Sequence, residues 1–98
     1  MTVSDLDIEH CMLDLLGRRA ASASICPSDV ARALAGDEDA WRALMPPVRR
    51  VAARLAREGS VLISQRDAVL HPDAVGRGPI RLRRGPKFSA PGDRHQGP

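Results

Sequence analysis

The run Pro46-Pro-Val-Arg-Arg-Val-Ala-Ala-Arg-Leu-Ala-Arg-Glu58, closed by Gly59 and followed by Val61-Leu-Ile-Ser-Gln65, decides the fold. Val48, Val51, Ala52 and Leu55 fall at i, i+3, i+4 and i+7, which gathers apolar side chains on one helix face. Proline suits the first turn of a helix and costs roughly 3 kcal/mol inside one, so Pro46-Pro47 predicts a helix start and a boundary after Met45. Gly59 predicts its end. Beyond it the period changes to 2, with Val61 and Ile63 alternating against Leu62 and Ser64 as in a half-buried strand.

Downstream, Arg66-Asp67 predicts a turn from which Ala68-Val-Leu70 pairs back. His71-Pro-Asp73 and Gly76-Arg-Gly-Pro79 are loop chemistry, and Ile80-Arg-Leu-Arg83 predicts a strand with Ile80 and Leu82 inward. Gly85 to Pro98 is Pro/Gly-rich without a period, the composition of a disordered tail. Upstream, Ser4 with Asp7 predicts a capping box for a helix from Asp5 to Gly17, whose apolar stripe is Ile8, Cys11, Met12, Leu15 and Leu16. Ile25-Cys26 predicts a very short strand, and Pro27 opens a short helix carrying Val30, Ala33 and Leu34. Asp37 caps a further stretch, Glu38 to Leu44, in which Trp41 is expected to be core. The order is mainly α with a small antiparallel β wing, that of a winged helix-turn-helix over residues 4–84 with a tail over 85–98.

With 98 residues and 26 large hydrophobic side chains, the chain can build one small core and not a two-domain enzyme. No apolar run approaches the ~18 residues of a membrane span. The acidic start Met1-Thr-Val-Ser-Asp-Leu-Asp7 lacks the basic region of a signal peptide. Two cysteines make no disulfide framework, so a cytoplasmic location is expected. His10, Cys11, Cys26, His71 and His95 lie at no metal-ligand spacing. Cys11 is expected in the core; Cys26 precedes a helix, where an exposed thiol would be reactive, and burial is the expected state. Ser28-Asp29 and Ser60 lack a histidine at motif spacing, and Gly76-Arg-Gly-Pro79 lacks the Lys-Ser/Thr of a phosphate loop. Neither an enzyme nor a cofactor is expected.

Charge is divided along the chain. Residues 1–45 carry eight acids and four arginines, whereas residues 46–98 carry eleven bases and four acids. A basic half invites a polyanionic partner. Fourteen of the fifteen basic residues are Arg, so GC-rich codon bias and an ordinary solvated face account for the same count.

Ile25-Cys-Pro-Ser-Asp-Val-Ala-Arg-Ala-Leu34, Trp41-Arg-Ala-Leu-Met-Pro46, Val48-Arg49, the Ala-Ala-Arg-Leu-Ala run to Gly59 and Arg77-Gly-Pro-Ile-Arg-Leu82 resemble a small bacterial family of unknown function with a winged-helix-like fold. The resemblance spans about Ile8 to Arg83. It implies the fold and leaves the activity open, because such folds host DNA binding, RNA binding and protein contacts.

On the helix from Pro46, Arg50, Ala53 and Arg57 point away from the buried face, with Arg49 and Arg54 on its flanks. A winged helix lays this helix in the major groove. The expected partner is therefore double-stranded DNA, held by Arg49, Arg50, Arg54 and Arg57, with Arg66, Arg77 and Arg81 on the backbone and Arg83 beside them. The helix holds no Asn or Gln to read bases, so phosphate contact is expected to dominate. The alternative is a protein-interaction module without nucleic acid, including a homodimer that pairs the acidic first helix with the basic third.

Overall fold

The first helix, α1 (Asp5–Gly17), begins with the capping box read from its sequence. The Ser4 hydroxyl accepts from the Asp7 N–H at 3.1 Å, and the Asp7 carboxylate accepts from the Ser4 N–H at 3.0 Å. This is seen in a computed structural model that describes residues 3–66, 68–76 and 78–90. A two-residue strand, β1 (Ser24–Ile25), leads into α2 (Pro27–Leu34), where Pro27 occupies the first turn and Asp29 accepts from the Cys26 N–H at 2.9 Å.

The main departure from expectation is α3 (Glu38–Arg57), which runs unbroken through Pro46 and Pro47. The two helices expected on either side of Met45 are one. Each proline removes an i→i−4 bond, here those to the Arg42 and Ala43 carbonyls. Arg42, Ala43 and Pro46 are exposed, so water can serve the freed groups. Leu44 and Met45 before the prolines and Val48 and Val51 after them all pack on the core, and this tertiary packing outweighs local propensity. Asp37 caps the helix by accepting from the Ala40 N–H at 2.8 Å.

Gly59 takes a left-handed φ of 86° where α3 gives way to β2 (Val61–Gln65). Arg66, at φ 50°, turns the chain into β3 (Ala68–Leu70); a one-turn 3₁₀ helix (Pro72–Ala74) and a loop then lead to β4 (Arg81–Arg84). The sheet order is β1-β4-β2-β3, every pair antiparallel. Three helices with this sheet and its β2–β3–β4 wing form a winged-helix-like fold.

Ile25, Val61, Ile63 and Leu82 turn one sheet face onto Ile8, Met12, Leu13, Leu16, Val30, Val48, Val51, Ala52 and Leu55. The buried stripe of α1 is rotated from the expected one: Leu13 is fully buried, whereas Cys11 and Leu15 sit half-buried at its edge. Trp41 is partly buried against the core, with the Arg32 and Arg42 guanidiniums 4.5 and 5.6 Å from its ring. Gly85 to Ala90, expected in the tail, lie on the domain. Gly85 N–H donates to Ser60 O and Lys87 N–H to Gly59 O, both at 2.9 Å, and Phe88 packs against the core. The rest of the expected tail, residues 91–98, lies outside the described residues. Among those described, no helix is long and apolar enough to cross a membrane.

Candidate nucleic-acid interface

The arginines of α3 lie where helical periodicity places them, with Arg50 and Arg57 exposed, yet each is engaged within the chain. Arg49 donates to the carbonyls of Gly76 at 2.6 Å and Gly78 at 3.2 Å, tying the helix to the wing loop. Arg50 pairs with Asp5 at 3.3 Å, Arg54 with Glu9 at 2.5 Å and Glu58 at 3.1 Å, and Arg57 with Asp73 at 2.7 Å. The hydrogen bond from Arg57 holds the Asp73 carboxyl below its usual range, and the one that Arg54 donates to Glu9 raises Arg54. Three guanidiniums, those of Arg50, Arg54 and Arg57, thus face four carboxylates, Asp5, Glu9, Glu58 and Asp73. Their charges cancel locally.

The acidic α1 accordingly meets the basic α3 inside one chain, the pairing that a homodimer would have made between copies. Apart from Glu58, four residues after Arg54, pattern reading along α3 could not find these acids. Asp5 and Glu9 lie 45 residues from their arginines, and Asp73 lies 16 residues from Arg57.

A different cluster forms on the outer face of the sheet. Strand alternation turns Ile25, Ile63 and Leu82 inward and Ser24, Ser64, Arg81 and Arg83 outward. The register sets Arg83 opposite both Ser24 and Leu62, and Arg81 opposite Ser64. Together with Ser22 and Arg66 these side chains line a pocket of about 370 Å³.

Arg81 is anchored: its Nε donates to Ser24 Oγ at 2.9 Å, Nη2 to Ser24 O at 3.0 Å and Nη1 to Cys26 Sγ at 2.7 Å. The Arg83 Nε is buried and has no hydrogen-bond partner. No ion pair forms at Arg66 or Arg83 among the described residues, and the described lining includes no carboxylate.

The structure therefore separates the expected site residues. Arg49, Arg50, Arg54 and Arg57 hold helix, α1 and wing together, Arg66 and Arg81 join the outer pocket, and Arg77 lies outside the described residues. Ser22, Ser24, Ser64 and Arg83 complete the pocket. The period-2 pattern orients the strand residues among them, but only the β1–β4–β2 register brings them together. Arg84 is taken up elsewhere, donating to the Leu16, Gly17 and Arg19 carbonyls at the end of α1 and covering the Phe88 ring at 4.7 Å.

The two thiols lie apart. Cys11 donates to the Val30 carbonyl at 3.8 Å in the α1–α2 groove, and burial pushes its thiol up. Cys26 is half-buried beside Arg81. Among the described residues no group of His, Cys, Asp and Glu is arranged to hold a metal ion.

The profile of a family described as "Protein of unknown function (DUF3253)" matches residues 5–85. No curated protein matches the sequence.

Proposed function

This chain belongs to the DUF3253 family, and we propose that it binds double-stranded DNA through phosphate contacts made by the wing and outer sheet face, with α3 as scaffold. One observation carries this reading: Arg66, Arg81 and Arg83 converge without a carboxylate among the described residues, whereas every α3 arginine already has an internal partner. Guanidinium forks and serine hydroxyls are donors suited to phosphate oxygens. A wing can meet a duplex with its strands, as β-ribbon readers do. The reading includes no base recognition and no catalytic step.

Fluorescence anisotropy with random duplex tests it. Three neutralised phosphates give a slope of log K against log[salt] of about −2.7, or about 40-fold weaker binding from about 50 to 200 mM salt. The Arg66→Ala/Arg83→Met double variant is expected to flatten that slope by about 1.8. Arg50→Ala/Arg57→Ala leaves it nearly unchanged, because those charges are internally balanced. No binding at low salt, or a slope carried by Arg50 and Arg57, rules the reading out.

The charge balance on α3 favours one second reading, a protein-interaction module with no nucleic-acid role. The exposed wing residue Val69, 52% accessible, would then be a contact. A stoichiometric protein partner recovered after nuclease treatment, displaced by Val69→Asp, supports it.

A further inference from the structure

The outer pocket has a shape and charge that contacts to an unbroken duplex backbone would leave only partly filled. Each phosphate of that backbone is a diester with one negative charge and a chain leaving on both sides. The pocket is instead a local concavity of about 370 Å³, toward the lower end of the range for small-molecule sites. Three guanidiniums and three serine hydroxyls line it. Concentrated positive charge favours a dianion over a monoanion, since Coulomb attraction scales with the charge of the guest.

Donor geometry points the same way. Arg81 is held by Ser24 and Cys26 through three of its N–H groups, so its fork is set in place before a ligand arrives. The buried Arg83 Nε lacks a partner, although buried donors are normally satisfied. Arg66, held at a left-handed φ of 50° by the β2–β3 turn, closes the pocket from the end of β2.

We infer that this pocket receives a single phosphate monoester, a terminal phosphate with the group that carries it. That group is either the 5′ end of a DNA strand or a small phosphorylated molecule. The first source rests on the DNA reading above; the phosphate chemistry does not.

Isotope-labelled full chain titrated with inorganic phosphate reads the pocket directly by amide chemical shifts. Saturable shifts centred on Ser24, Ser64, Arg66 and Arg83 are expected. Shifts that do not saturate, or that centre on α3, overturn the inference. In parallel, duplexes of one sequence with 5′-phosphate or 5′-hydroxyl ends are compared by anisotropy. The phosphorylated end is expected to bind about tenfold tighter, the worth of one charge-assisted contact. Arg66→Ala, a change at an exposed turn, should abolish that preference and weaken phosphate binding by a similar factor.

The outcomes separate the two ideas. Equal binding of both duplexes without phosphate saturation removes the pocket and leaves the DNA reading standing. Phosphate saturation without any duplex binding removes the DNA reading and assigns the pocket to a small phosphorylated molecule. Phosphate affinity unchanged in Arg66→Ala overturns the pocket whatever the duplexes do.

Discussion

Arg54 on α3 and Glu9 on α1 form an ion pair across 45 residues of sequence, with the Glu9 side chain 8% accessible and that of Arg54 43%. The carboxylate is nearly removed from water while its partner keeps one side in solvent. The pair therefore joins the two helices at a site where losing one charge costs more than at the surface.

Arg54→Met should destabilise the fold by about 1–3 kcal/mol, below the value for a fully buried pair because Arg54 is part-exposed. Arg50→Ala and Arg57→Ala, which break exposed pairs, should each cost less than about 1 kcal/mol. Urea denaturation of the three variants measures this. Equal, small losses would mean that Arg54 and Glu9 are an ordinary surface pair.

Gly85 follows β4 at a point with no room for a side chain. A β-carbon there would meet the Gly59 carbonyl oxygen at 2.3 Å and the Val61 nitrogen at 2.9 Å. Both are backbone atoms and cannot rotate aside. Gly85→Ala should cost about 1–3 kcal/mol, the scale of overpacking, and a thermal melt indistinguishable from the parent would show that the chain beyond β4 is not held on the domain.

Pro46 lies inside an exposed stretch of α3 and removes one helical hydrogen bond. Pro46→Ala restores that bond and gives back some freedom to the unfolded chain, for a net gain of about 1–2 kcal/mol. Calorimetry should record a rise of about 4–8 °C in Tm for each kcal/mol. A fall in Tm would mean that the proline sets a helix bend that the core requires.

Acid should weaken the fold through Asp7 and Asp73. The Ser4 backbone N–H and hydroxyl hold the Asp7 carboxyl low, and the hydrogen bond and charge of Arg57 hold Asp73 low. A carboxyl lowered in the folded state contributes stability that is present above its unfolded pKa and lost as pH falls through the folded one. Unfolding free energy should therefore be steady from neutral pH to about pH 5 and decline below about pH 4. Asp73→Asn should shallow that decline, and an unchanged acid profile would exclude Asp73 as a contributor.

Much of the fold was legible residue by residue. Ser4 with Asp7, Pro27 with Asp29, and Gly59 act within a few positions of themselves, so caps and ends could be read directly. The inward alternation of Ile63 and Leu82 is equally local. At Pro46-Pro47 the local rule failed, since Leu44, Met45, Val48 and Val51 share one core and their burial outweighs two lost hydrogen bonds. The candidate site was half legible: Arg66 and Arg81 were singled out, but the serines that complete the pocket carry no signal without a strand register.

The amino-acid sequence by itself determined the element order apart from the unbroken α3, the winged-helix class and the arginines on α3 that face away from the core, because periodicity and capping are short-range. Only the tertiary structure decided which arginines are ion-paired within the chain. Folding sets Asp5, Glu9 and Asp73 against α3 and leaves Arg66, Arg81 and Arg83 among serines. Electrostatic balance depends on distance in space, and none of those distances is written in the spacing along the chain.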